Sequence, residues 1–213
     1  MSDAIDALLV IILLVNFLAL GTSRLRAVIN ATAAQGVLLG VLTVLVHHEL
    51  TFETIAIAAS ATLIKGLVIP ALLLRAMRDV AVRRDVEPFV GYVTSLLLGA
   101  VATGLAILFA RTLPLAPQHA GTLLIPASLA TVLTGFIILT TRVKAITQVA
   151  GYLVLENGIF IMGLALVEAL PFLVEVGVLL DLVVGIFIMG IMIHSINREF
   201  SSINTRSLSQ LKE

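Results

Sequence analysis

The sequence predicts an all-α membrane protein with seven transmembrane helices, and three observations lead there. Of the 213 residues, 60% are apolar and 12% charged, with a mean hydropathy of +1.15. Soluble domains hold about 45–50% apolar and about 25% charged residues. Seven mostly apolar stretches come close to the about 20 residues that a helix needs to cross a bilayer. The basic residues, finally, fall on alternate connections between those stretches. Backbone groups in lipid must be satisfied internally, so apolar runs of this length read as helices and not as strands.

The spans are read at residues 4–20, 27–46, 54–74, 88–110, 122–141, 146–167 and 171–194. Only the connections 75–87 and 111–121 exceed a few residues, so no soluble domain fits between spans. The first span follows Asp3 and Asp6 with no basic stretch before it, which reads as a retained anchor and not as a cleaved signal peptide. Residues 195–213 are rich in Ser, Asn and charge, a composition that predicts a tail either mobile or laid on a partner.

Orientation follows from the charges. The connections after spans one, three and five, with the tail, contain Arg24, Arg26, Arg75, Arg78, Arg83, Arg84, Arg142, Lys144, Arg198, Arg206 and Lys212. These are eleven of the thirteen basic residues. The opposite side has Arg111 alone, and Lys65 falls inside the third span. The asymmetry predicts an outer N-terminus and a cytoplasmic C-terminus in a cell inner membrane.

An internal duplication is also expected. Ser23-Arg24-Leu25-Arg26-Ala27, ending the first span, is echoed by Thr141-Arg142-Val143-Lys144-Ala145 after the fifth, and two spans follow each run. The division expected is an N-terminal three-helix repeat (1–87), a linking helix with its outer loop (88–121), a C-terminal three-helix unit (122–194) and the polar tail (195–213). Gly36 with Gly40, and Ala100 with Gly104, have the small-xxx-small spacing that allows close helix contact in lipid.

Three ionisable residues lie where charge is expensive, by about 2.5–3.5 kcal/mol on insertion scales. Glu156, Asp181 and Lys65 each lie about ten residues into their spans, ~15–17 Å from a membrane face at about 1.5 Å per residue. In a hydrocarbon core about 30 Å thick, that is close to the midplane. The tight connection around Pro171 makes spans six and seven antiparallel neighbours, so Glu156 and Asp181 can face each other. Burial raises a carboxyl pKa, which lets it load and release a proton near neutral pH, and a nearby ammonium would favour the ionised form. Together the three residues predict a relay for protons or Na⁺, weighed against a static ion pair that fixes helix register. Glu168 and Glu175 flank the outer turn and are candidates for an exit or rim, or plain solvated residues. His47, His48, Glu49 and Glu53 admit a metal site, but their spacing fits a wet loop or a contact with another protein chain better.

Other chemistries are excluded or disfavoured. Thirteen acids balance thirteen bases, so nothing suggests nucleic acid, and without cysteine there is no thiolate nucleophile or Cys-based metal centre. A retinal protein would want its lysine in the last helix, and the buried one here is in the third.

The run Gly151-Tyr152-Leu153-Val154-Leu155-Glu156-Asn157-Gly158-Ile159-Phe160 resembles the signature of the hydrogenase-4 component E family. Those proteins are seven-helix membrane subunits of group 4 hydrogenase and formate hydrogenlyase complexes, and the resemblance extends over essentially the whole chain. The last three spans are similar to the small three-helix K subunit of respiratory complex I and to its counterpart in Mrp-type cation/proton antiporters. Glu156 matches the first membrane glutamate of that small protein and Asp181 the second, with aspartate in place of glutamate. Lys65 has no counterpart there. The resemblance implies a non-redox subunit with no cofactor of its own. Nickel–iron and iron–sulfur centres are expected in soluble hydrogenase partners, reached through antiporter-like membrane subunits. The alternatives are a multisubunit cation/proton antiporter without hydrogenase, and a passive scaffold of the membrane arm.

Overall fold

The computed structural model describes residues 2–46, 52–79, 89–113 and 122–166. The chain divides into two compact units, Met1–Pro171 and Phe172–Glu213, and every described residue belongs to the first. The predicted seventh span, the tail, Asp181, Glu168, Glu175, His47, His48 and Glu49 lie outside the described residues.

The described chain is helical, with helices α1 (Ser2–Gly21), α2 (Leu25–Val46), α3 (Phe52–Ala61), a π-helical segment (Thr62–Val68), α4 (Ile69–Asp79), α5 (Tyr92–Ala110), α6 (Leu124–Thr141) and α7 (Ala145–Leu166). The third span is the continuous run of α3, the π-helical segment and α4. Among the described residues six helices are long and apolar enough to cross a membrane, which makes this a multi-pass membrane protein. Its surface agrees, with Leu14, Leu18, Val93, Leu97, Val101, Leu105 and Leu108 all facing outward. Exposed leucines in such density suit lipid and not water.

Boundaries differ little from the hydropathy reading, except that the third span continues to Asp79, beyond the expected 74, and the fourth begins at Tyr92. Residues 89–91 precede the helix, because Phe89 donates its backbone N–H to the carbonyl of Thr141 at 2.8 Å and Gly91 is extended with ψ 154°. Apolar composition alone cannot distinguish such a capping segment from a first helical turn.

Helices α1, α2, α6 and α7 form a central four-helix group in which α1 contacts α2 and α6, and α7 contacts α2 and α6. The third span packs on α2, while α5 packs on α1 and α6. Directions can be read from the contacts. The Leu123 N–H at the start of α6 is bonded by Asp6 near the start of α1 at 3.0 Å. At the other end, Arg142 after α6 bonds the Leu20 carbonyl of α1 at 2.7 Å, so α1 and α6 run parallel. Across α2 and the third span, Gly36 lies against Lys65 and Gly40 against Thr62, an antiparallel order.

Two glycines illustrate how closely the helices approach. A Cβ at Gly36 would come 2.5 Å from the carbonyl carbon of Lys65, so only hydrogen fits where α2 touches the π-helical segment. A Cβ at Gly158 would come 2.6 Å from Val132 N and 2.9 Å from Ser128 O on α6. Gly158→Leu is therefore expected to force α6 and α7 apart, costing about 1–3 kcal/mol or more. Thermal unfolding in detergent checks this, and an unchanged midpoint would contradict the packing. Among the described residues the Ala100 and Gly104 spacing does not mark such a seam, since both are exposed and a Cβ at Gly104 would meet nothing within 4 Å.

Two apolar clusters bracket a polar layer. One gathers Leu9, Ile12, Leu39, Leu42, Ile125, Ala127, Ile161 and Leu164, and the other Ala19, Leu20, Ala31, Ile138 and Val154. Between them in sequence order along α1, α2, α6 and α7 come the buried Asn16, Gln35, Thr131 and Asn157. The candidate site adjoins this layer.

Candidate functional site

A lysine that must sit in lipid needs an anion, and the third span finds one on α7. Lys65 Nζ lies 2.6 Å from Glu156 Oε1, with side chains only 11% and 5% exposed. The ammonium also stands over the ring of Phe160, 5.0 Å from its centroid. Glu156 and Phe160 are four residues apart on α7, so they share a helix face and hold the ammonium between carboxylate and ring.

Lys65 occupies the centre of the π-helical segment Thr62–Val68. Sequence accounts for that geometry. Pro70 has no N–H to give the carbonyl of Gly66, and its ring would crowd that carbonyl in a regular α-helix. Widening the preceding turn relieves the crowding, and such segments recur at functional sites. Gly36 then admits the widened backbone against α2.

Next to the ion pair runs a chain of hydrogen bonds. Asn157 Nδ2 donates to Gln35 Oε1 at 3.2 Å, and Gln35 Nε2 donates to Asn16 Oδ1 at 2.6 Å. Asn16 Nδ2 donates to Thr131 Oγ1 at 2.9 Å, whose hydroxyl donates to the Ala127 carbonyl at 2.7 Å. The chain joins α7, α2, α1 and α6 in that order, and every donor points the same way. Amides do not gain or lose protons at any ordinary pH, so the chain holds helices in place and does not conduct. Buried polar atoms in lipid need such partners.

A second buried cation sits at the helix ends. Arg142, 1% exposed, follows the last residue of α6. Its Nη2 donates to the Leu20 carbonyl in the last turn of α1, and its guanidinium lies 5.1 Å from the Tyr92 ring centroid. The negative ends of two helix dipoles thus face this cation. Burial lowers its pKa from the ordinary value, and Tyr92 opposes that shift. Among the described residues, Arg142 Nη1 and Thr147 Oγ1 are buried and have no hydrogen-bond partner.

Of the residues singled out from sequence, the structure brings Lys65 and Glu156 together. Glu53 lies in α3, and among the described residues no group of three or more His, Cys, Asp and Glu could hold a metal ion. Sequence reasoning missed Asn16, Gln35 and Thr131 and gave Asn157 no role. Amides inside apolar spans were the available signal. The run from Gly151 to Phe160 gains a physical reading, because Gly151 and Gly158 touch α6, Glu156 pairs with Lys65, Asn157 bonds Gln35 and Phe160 faces the ammonium.

The chain is 31% identical over 206 residues to the uncharacterized protein Rv0085 of Mycobacterium tuberculosis, a match covering 95% of this chain and 93% of that protein. No family model matches the chain, and no solved structure matches it. At that identity and coverage, the chain belongs to the same family as the Mycobacterium tuberculosis protein.

Proposed function

We propose that this protein is a non-redox membrane subunit of a complex I-like membrane-bound hydrogenase or formate hydrogenlyase, of the hydrogenase-4 component E kind. It contributes mid-membrane charged residues to a path for protons or Na⁺. The observation that carries the reading is the Lys65–Glu156 pair, buried halfway along two spans and mounted on a π-helical segment. A carboxylate beside an ammonium in lipid changes its proton affinity whenever that ammonium moves, and this is the elementary step of a charge relay. Asp181 supplies a second acid in the same reading.

The chain then has seven spans in the cytoplasmic membrane, with its N-terminus outside and its C-terminus inside. Supporting this, Arg24, Arg26, Arg75, Arg142 and Lys144 gather at one end of the described helices while Arg111 lies at the other. Antiporter-like membrane subunits are its neighbours, and soluble subunits with nickel–iron and iron–sulfur centres handle the electrons.

Mild-detergent purification of the tagged chain from its native membranes tests the reading. Co-purification with hydrogen-dependent dye reduction is expected. Recovery with antiporter-like subunits and no redox subunit would replace the hydrogenase by a cation/proton antiporter. Reconstituted alone in liposomes, the chain is expected to move no protons, and proton flux from the isolated chain would contradict a subunit role.

A further inference from the structure

Gln35 and Gly36 are adjacent on α2, and between them they touch both sides of the ion pair. Gln35 accepts the hydrogen bond of Asn157, the residue that follows Glu156. Gly36 lies against the backbone of Lys65 and Gly66. From acid to base the path through α2 consists of one peptide link, one hydrogen bond, another peptide link and one backbone contact. The 2.6 Å ion pair closes this small loop from the other side.

We infer that Gln35 is a positioning residue for the Lys65–Glu156 pair, fixing the register of α7 against the third span through Asn157. The inference rests on the proposed role of that pair as the working site. Gln35 is suited to the task because it is held at both ends of its amide. It receives from Asn157 at 3.2 Å and gives to Asn16 at 2.6 Å, and Asn16 is in turn anchored on Thr131 of α6. A side chain bonded on one side could swing with α7. One bonded on both sides transmits any sliding of α7 to α2, and through Gly36 to Lys65. At 1% exposure Gln35 has no competing solvent.

The test reads the pair directly. Dicyclohexylcarbodiimide enters lipid and attacks protonated carboxyl groups, so a carboxylate held by an ammonium labels slowly. In native membranes containing the full complex, labelling of Glu156 would be followed by mass spectrometry. Gln35→Met is expected to label about 3- to 15-fold faster than wild type, the factor that one interhelical hydrogen bond in a membrane supplies. Lys65→Met is also expected to label faster, and Gln35→Met combined with Lys65→Met no faster than Lys65→Met alone, since Gln35 acts through the pair. Thr134→Val deletes a hydroxyl that donates to the Ala130 carbonyl of its own helix, and is expected to label as wild type. Should Gln35→Met fail to accumulate, Asn157→Leu removes the other half of the same bond and is expected to give the same acceleration.

Wild-type labelling in Gln35→Met, or in Asn157→Leu where that variant stands in, would overturn the inference if Lys65→Met is accelerated. Wild-type labelling in Lys65→Met would overturn it as well, because the ammonium would then not govern the acid. Labelling is independent of the redox partners, so loss of the hydrogenase reading through the make-up of the purified complex would leave this result distinct.

Discussion

Glu156→Gln is expected to lower the thermal midpoint of the chain by roughly 6–20 °C. The physical reason is the cation left behind. Lys65 is 11% exposed, and its ammonium has the Glu156 carboxylate at 2.6 Å and the Phe160 ring on another side. Removing one partner of a buried pair costs about 3–5 kcal/mol, because the other charge stays desolvated. For a chain of this size each kcal/mol moves the midpoint by about 2–4 °C. The double variant Lys65→Met with Glu156→Gln is expected to regain most of that loss, since replacing a whole buried pair by neutral groups is close to neutral. Circular dichroism or fluorescence melting in detergent checks both, and equal midpoints for Glu156→Gln and wild type would show that the pair is not a tight one.

Arg142→Met should have the next largest effect, a midpoint lower by roughly 4–16 °C. A hydrogen bond from a charged donor contributes about 1.5–3 kcal/mol, and a cation at a helix C-terminus adds about 0.3–1 kcal/mol. Arg142 provides both, since its Nη2 bonds the Leu20 carbonyl where α1 ends and its own backbone caps α6. It ties the two parallel helices at one end while Asp6 ties them at the other. Arg142→Lys should recover only part of the loss, because a point charge cannot bond the carbonyl and lie along the Tyr92 ring together. Full recovery by lysine would reduce the role of Arg142 to its charge.

How much of this was legible in the sequence varied with the kind of physics involved. Spans are bulk properties, and hydropathy found the six described ones to within a few residues. The π-helical segment is not a bulk property, because it is a matter of hydrogen-bond pattern and not of the composition of Thr62–Val68. Pro70, inside the predicted third span, was the readable sign. Depth counting singled out Lys65 and Glu156, but counting along a helix gives height and not azimuth. It could not say that the lysine would meet Glu156, and it leaves Asp181 where the described residues do not reach. The hydrogen-bonded amides escaped notice because only ionisable residues were weighed, although Asn16 and Gln35 interrupt otherwise apolar runs. Arg142 was counted among the loop charges. Its connection is so short that the side chain folds back against α1, and no composition rule separates that outcome from a solvated arginine.

Proton-coupled turnover of the Lys65→Met, Glu156→Gln double variant, in membranes holding the assembled complex, bears most directly on whether the buried pair works or merely holds helices together. A working pair predicts normal assembly and wild-type-like stability with proton coupling lost. A double variant that assembles and couples protons as wild type does would contradict the account and leave Lys65 and Glu156 as a pin of helix register.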